Sequence, residues 1–200
     1  MDYYNHISKG YEELYREEQE EKWEVLKDYV DVRGKKVLEV GCGTGIITEK
    51  LQEAKELTAV DKSRKMIEVA REKGINAKFL VADATKLPFK DDEFDLVISV
   101  TMLQDLEDPL KAIEEMRRVG RKVIFTCLAK GERVKLIREK YGKGIPCGKD
   151  ELWIIFKNRG HFSEEHEKGR GHQTNQGRGR AGQEDGGIWG FCREESWGWC

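Results

Sequence analysis

Five short apolar runs recur along the first two thirds of the chain: VLEV at 37–40, LTAV at 57–60, AKFLV at 77–81, FDLVISV at 94–100 and KVIFTCL at 122–128. Runs of this length, rich in β-branched residues and not strictly alternating, suit strands buried on both faces. Between them the apolar positions change to a helical period. Met66, Ile67 and Ala70 share one face of a helix predicted over 64–73, which Gly74 stops. Leu110, Ile113 and Met116 do the same after Asp108-Pro109, a capping acid followed by a first-turn proline. A further helix is predicted over 132–141. Residues 1–30 also read as helical, with Trp23, Leu26 and Val30 on one stripe and Glu17, Glu18, Glu20, Glu21 and Lys22 mostly towards water. Strands alternating with helices predict an α/β domain on an open, mostly parallel sheet.

After the fifth strand the pattern weakens. GKGIPCG at 142–148 reads as a loop. DELWIIFKNR at 150–159 has an apolar centre that suits a strand, but a capping Asp150 and a stop at Gly160 favour a helix. From His161 onward periodicity vanishes, and Gly, Arg, Gln and Glu dominate around isolated tryptophans. Such a composition cannot bury enough surface to offset its ordering entropy.

The candidate chemistry sits where the first strand meets its turn, EVGCGTG at 39–45, and the amphipathic stretch with Ile46, Ile47 and Leu51 beyond it predicts a helix start. Glycines there remove Cβ atoms where backbone must approach a ligand and permit φ > 0. The G-x-G-x-G spacing differs from the G-x-G-x-x-G of dinucleotide binders, and no Lys-Ser/Thr pair follows, which excludes a phosphate-cradling P-loop. Glu39, two positions ahead of the first glycine, would repel a pyrophosphate but suits a ligand carrying an ammonium and a sulfonium. Asp61 ends the second strand about twenty residues beyond Gly41, where nucleotide-binding α/β folds place an acid on ribose hydroxyls. A carboxylate accepting from both hydroxyls selects an unphosphorylated ribose. A plain surface acid is the alternative, since Ser63 can cap the next helix unaided.

The motif Glu39-Val40-Gly41-Cys42-Gly43-Thr44-Gly45 resembles in full the [E/D]-x-G-x-G-x-G motif of class I S-adenosylmethionine-dependent methyltransferases. The resemblance spans residues 1–160. It implies a Rossmann-like doubly wound sheet with S-adenosylmethionine as cofactor. The implied cofactor-binding set is Glu39, Gly41, Cys42, Gly43, Gly45, Asp61, Lys62, Met66, Asp83, Ala84 and Ser99. Glu39 would order the methionine end and Asp61 the ribose. Asp83 would accept from the adenine amino group, with an Ala84 N–H on the ring. Leu87 and Phe89 would pack beside the purine or join the core. Residues 99–104 would face the reacting methyl, and Tyr4, Tyr11 and Tyr15 are candidates for an N-terminal lid. The family ends in two strands that the sequence after 160 does not resemble. The expected organisation is therefore a helical cap over 1–35, the cofactor-binding domain over 36–160, and a disordered or frame-shifted tail over 161–200. The sheet's last two strands are expected to be missing or altered.

Two hundred residues suit one domain, and a formal net charge of −2 supplies no field favouring nucleic acid or an anionic membrane. No apolar run approaches the roughly 18 residues of a membrane span, and the N-terminus lacks the apolar core of a signal peptide. The five cysteines show no CxxC pair, and their odd number argues against a disulfide framework. His161, His166 and His172 have no metal-like spacing, and acids surround the Arg178-Gly179-Arg180 patch. The expectation is a cytoplasmic, metal-free enzyme that methylates a small molecule by in-line displacement, with no membrane partner and with nucleic acid disfavoured. No residue stands out as a general base, and neither acceptor nor oligomeric state can be read. The alternatives are a methyltransferase-like binding module without activity, whose fifth strand would be an exposed edge, a tRNA or protein methyltransferase, and a NAD-dependent dehydrogenase. The absence of an Asn-Pro-Pro-Tyr motif disfavours acceptors with planar amino groups.

Overall fold

The computed structural model describes residues 11–157. Among them seven strands form one sheet in the order β3-β2-β1-β4-β5-β7-β6. The strands are β1 (Lys36–Val40), β2 (Glu56–Asp61), β3 (Lys78–Val81), β4 (Phe94–Ser99), β5 (Gly120–Leu128), β6 (Ile145–Cys147) and β7 (Asp150–Phe156). The first five run parallel, while β7 lies antiparallel to β5 and β6 antiparallel to β7. The helices are α1 (Tyr11–Leu26), α2 (Arg64–Glu72), α3 (Pro109–Val119) and α4 (Glu132–Tyr141), with short 3-10 turns at Thr48–Leu51 and Leu103–Asp105. This is the Rossmann-like doubly wound sheet the sequence predicts, with strand order reversing between β1 and β4.

Alternation along each strand feeds two cores. Val37, Leu96, Ile98 and Ile124 join Leu26, Val32 and Leu152 on one face. Leu38, Val40, Val97, Val123 and Phe125 point the other way, beneath Ile113 and Met116 of α3 and Val134 and Ile137 of α4. Both faces are covered, which is why the runs look continuously apolar. A smaller cluster under α2 packs Ile67 and Ala70 on Ala59 and Phe79. One free, buried thiol lies in each cluster: Cys127, Cys147 and Cys42. Cys192 and Cys200 lie outside the described residues. Two of the predicted caps are formed, with Ser63 Oγ accepting from Met66 N at 3.2 Å and Asp108 Oδ1 from Lys111 N at 3.0 Å.

Several expectations need correction. The last two strands are not missing, because residues 145–156 supply both. The segment from Asp150, favoured as a helix, is β7: its Leu-Trp-Ile-Ile-Phe core fits a pleated surface, and pairing with β5 over seven positions outweighs the local capping signal. Part of the loop after α4 becomes β6. With β4 and β7 on either side, β5 is not an edge, which removes the structural ground for a damaged, non-catalytic module. No α-helix follows the glycine turn. The β-branched run Ile46-Ile47-Thr48 leads only into a 3-10 turn before the chain returns to β2. Lys22, placed towards water by its charge, is fully buried. The tail expected over 161–200 lies outside the described residues.

Trp153 anchors β7. It stacks on Phe125 with ring centroids 5.4 Å apart and donates its indole N–H to the Gly142 carbonyl at 3.0 Å. Trp153→Ala should therefore destabilise the fold by about 3–5 kcal/mol in urea unfolding. Phe156→Ala, at a strand-end position 63% exposed, should cost about 1 kcal/mol or less. Equal, small effects at both positions would contradict a β7 seated in the core.

Candidate functional site

Parallel pairing sets Val40 beside Val60 and Asp61 beside Val81, so the tips of β1, β2 and β3 end level. Together with the segment after β4 they border a cleft of about 370 Å³. It lies at the carboxyl edge of the sheet where strand order reverses, the place where open α/β sheets bind ligands.

The turn after β1 is tied to β2 rather than left as a free loop. Gly41 N and Cys42 N both donate to the Val60 carbonyl, at 2.8 and 3.0 Å. That reversal puts Gly41 at φ +79°, and a Cβ there would meet Met102 Cγ at 2.5 Å. Gly43 N donates to Asp61 Oδ2 at 2.9 Å and Ser63 N to Asp61 Oδ1 at 2.8 Å. The two carboxylate oxygens, with about four lone-pair sites between them, keep acceptor capacity beyond these backbone donors. Burial outweighs these bonds and raises the Asp61 pKa above the usual carboxylate value.

Glu39 sits beneath this turn, 2% exposed, and Thr48 Oγ1 donates to its Oε2 at 2.6 Å. Desolvation, with the Asp61 charge adding to it, pushes its pKa up to about 8 against the pull of the Thr48 bond. Asp83 is the more exposed acid. Its Oδ1 accepts from Thr85 N at 2.9 Å and Thr85 Oγ1 at 2.8 Å, and Lys62 Nζ lies 3.1 Å from Oδ2. The Thr85 bonds, aided by Lys62, hold its pKa below the ordinary value. The loop beyond it is strapped to α3: Arg118 donates to the Leu87 and Phe89 carbonyls, and Glu115 accepts from Leu87 N. Leu87 and Phe89 belong to the core, with Phe89 edge-on to Phe94.

Of the residues singled out in the sequence, Gly41, Gly43, Asp61, Lys62, Met66, Asp83 and Ala84 line the cleft. Glu39, Cys42, Gly45 and Ser99 do not. The Cys42 side chain enters the cluster under α2. Gly45, at φ +86°, gives way to Ile75, whose Cδ1 would lie 2.8 Å from an added Cβ. Ser99 is fully buried within the sheet beside Phe125, and strand alternation turns Val100 to the cleft instead. Of residues 99–104, expected to face the methyl, Val100, Thr101 and Met102 line the cleft, whereas Val40, Val60, Ser63, Ala82, Asp105, Leu106 and Glu107 line it without having been singled out. Ser63 carried a capping signal only, and nothing in a threonine announces the left-handed backbone of Thr101, φ +51°. Of the lid candidates, Tyr15 is half-buried on α1. Tyr4 and the side chain of Tyr11 lie outside what the structure describes.

Among the described residues no group of three or more His, Cys, Asp or Glu side chains is placed to hold a metal ion. No helix among them is long and apolar enough to cross a membrane.

Residues 38–123 match the family model described as a methyltransferase domain. The chain is 39% identical over 128 residues to the demethylmenaquinone methyltransferase of Staphylococcus aureus (strain JH9), covering 58% of this chain and 53% of that protein. It therefore spans about half the length of the curated relatives it matches. Among solved structures, a SAM-dependent methyltransferase from Aquifex aeolicus superposes with a TM-score of 0.55 at 25% identity, covering 67% of this chain and 89% of that one. An S-adenosylmethionine-dependent methyltransferase from Mesorhizobium loti gives 0.50 at 26% identity over 54% of this chain and 53% of that one.

The Glu39 pKa of about 8 lies above its ordinary 4.5, so the folded chain holds this proton more tightly than the unfolded one. The stabilisation is complete below that ordinary value and drains away as pH rises towards the folded value. The slope approaches about 1.4 kcal/mol per pH unit. Urea midpoints of the wild type should fall across that window, and Glu39→Gln should flatten the fall. An unchanged pH profile in the variant would show that Glu39 is not the group responsible.

Proposed function

We propose that this chain, similar over residues 38–123 to methyltransferase domains, is a class I S-adenosylmethionine-dependent methyltransferase that transfers a methyl group from S-adenosylmethionine, held in this cleft, to a small-molecule acceptor. One observation carries the reading: three adjacent strand tips bring bare glycine backbone, Asp61 and Asp83 to one cavity. Its volume falls within the roughly 300–1,000 Å³ of small-molecule sites. The donor set fits the cofactor, because Asp61 retains acceptor capacity for two ribose hydroxyls and the cleft offers acids and bare backbone rather than a pyrophosphate cradle.

In this reading Gly41 and Gly43 let the main chain pass close to the methionine portion, while Cys42 and Gly45 shape the turn. Glu39 acts from beneath it, on the ammonium side. Asp83 takes the adenine amino group, the Ala84 N–H its ring nitrogen, and Lys62 and Met66 flank the nucleoside. Ser99 closes the sheet below Val100. The bound cofactor supplies a methyl group on a positively charged sulfur, already a good leaving group. The chain's task is to hold donor and acceptor in line and keep water away.

Val100, Met102 and Leu106 give the acceptor side an apolar border. With a net charge near zero, this supports a small molecule over tRNA or protein. The name borne by the Staphylococcus aureus relatives makes a quinol-type acceptor the first to assay.

S-adenosylhomocysteine should raise the melting temperature, and NAD should not. Removing a charge-assisted hydrogen-bonding carboxylate costs about 1.5–3 kcal/mol. Asp61→Ala should therefore weaken S-adenosylhomocysteine binding by roughly 10- to 100-fold in calorimetric titration. Stabilisation by NAD alone would favour a dehydrogenase. Cofactor binding without transfer to any acceptor pool would favour a binding module.

A further inference from the structure

The Lys22 side chain is wholly buried although it carries a charge. Its ammonium donates to Thr101 Oγ1 at 2.6 Å and to Glu18 Oε1 at 2.7 Å, and lies 3.2 Å from Asp150 Oδ1. Two hydrogen bonds and one ion pair therefore surround the ammonium, the Asp150 Oδ1 atom being held by charge alone. Asp150, equally buried, accepts from Thr101 Oγ1 at 2.8 Å and Thr126 Oγ1 at 2.7 Å through Oδ2. Thr126 Oγ1 in turn accepts from Thr101 N at 2.9 Å. Lys149 pairs with Glu18 at 2.8 Å, so two cations balance two carboxylates.

A buried ion pair is a poor source of net stability, because apolar groups of similar size do as well. What this one holds is more informative. The network converges on Thr101, a β-branched residue at φ +51°, a conformation that persists only where its surroundings over-determine it. Thr101 is gripped through both its hydroxyl and its N–H. Its carbonyl accepts from Gln104 Nε2 at 2.7 Å, and the next residue, Met102, lies over Gly41. Thr101 and Met102 both line the cleft. At the other end of α1, Glu12 Oε1 accepts from Thr44 Oγ1 within the glycine turn, at 3.1 Å. Ten residues of helix, about 15 Å, therefore brace both walls of the cavity.

We infer that Lys22 is a positioning residue: acting through Thr101, it fixes the left-handed turn that lays Met102 over Gly41, so that docking of α1 sets the far wall of the cofactor cleft. The inference rests on the reading of that cleft as the S-adenosylmethionine site.

The test is a calorimetric titration of S-adenosylhomocysteine into wild type, Lys22→Met, Thr101→Gly and the double variant. Wild type that fails to bind overturns the cofactor reading, and this inference with it. If wild type binds, Lys22→Met should weaken binding by about tenfold or more. In the Thr101→Gly background the same change should shift affinity by less than about twofold, because glycine takes positive φ without support. A merely structural lysine would lower affinity alike in both backgrounds, and that result, or an unchanged affinity in Lys22→Met, overturns the inference. Should Lys22→Met not fold, Thr101→Val decides. It keeps the Lys22–Asp150 pair and must itself lose about tenfold in affinity, while an unchanged affinity overturns the inference.

Discussion

Everything at the carboxyl edge depends on one carbonyl and one carboxylate at the end of β2. The Val60 oxygen takes two N–H groups from the turn after β1, and Asp61 takes a third. Parallel register delivers these acceptors level with the end of β1. The turn is then folded back by hydrogen bonds that a buried backbone must make somewhere. Positive φ at Gly41 and Gly43 is the geometric cost of closing onto β2, and it is why those positions are glycine. Cofactor recognition, in the proposed reading, borrows acceptor capacity left over from this backbone closure.

The remaining walls are held with unequal firmness. On the β3 side, Arg118 and Glu115 of α3 grip main-chain atoms of the loop beyond Asp83, so this wall of the cleft belongs to the helix layer that covers the core. On the β4 side, control passes to a segment remote in sequence. α1 reaches Thr101 through Lys22, and β7 reaches it through Asp150. The strand that completes the sheet is therefore also part of the cleft's support.

The legible part of the molecule was the part governed by periodicity and by glycine. Strands β1 to β5 and helices α2 to α4 follow from apolar spacing and caps, because burial on two faces leaves little freedom in the pattern. Gly41, Gly43, Asp61 and Asp83 were readable since each marks a strand tip by residue type alone. β7 was not, because Asp150 imitates a helix cap locally while its real partners lie on α1, in the segment after β4 and on β5. Lys22 was illegible for the same reason. A lysine among glutamates reads as solvated, and only the assembled fold surrounds it with Glu18, Thr101 and Asp150. Ser99 lies one residue short of the cleft-lining Val100, and in a strand that step turns a side chain to the opposite face.

The three thiols divide the interior into separately readable compartments. Cys127 belongs to the layer under α3 and α4, Cys147 to the layer under α1, and Cys42 to the patch beneath α2. Burial leads the causes that push Cys127 up to about 12 and Cys147 up to about 11, and it lifts Cys42 well above its ordinary value. An alkylating reagent acts on the thiolate, so it meets almost none while the layers stay shut. The order in which these three sulfurs become labelled, resolved by peptide mass, would therefore chart which layer opens first as the protein breathes.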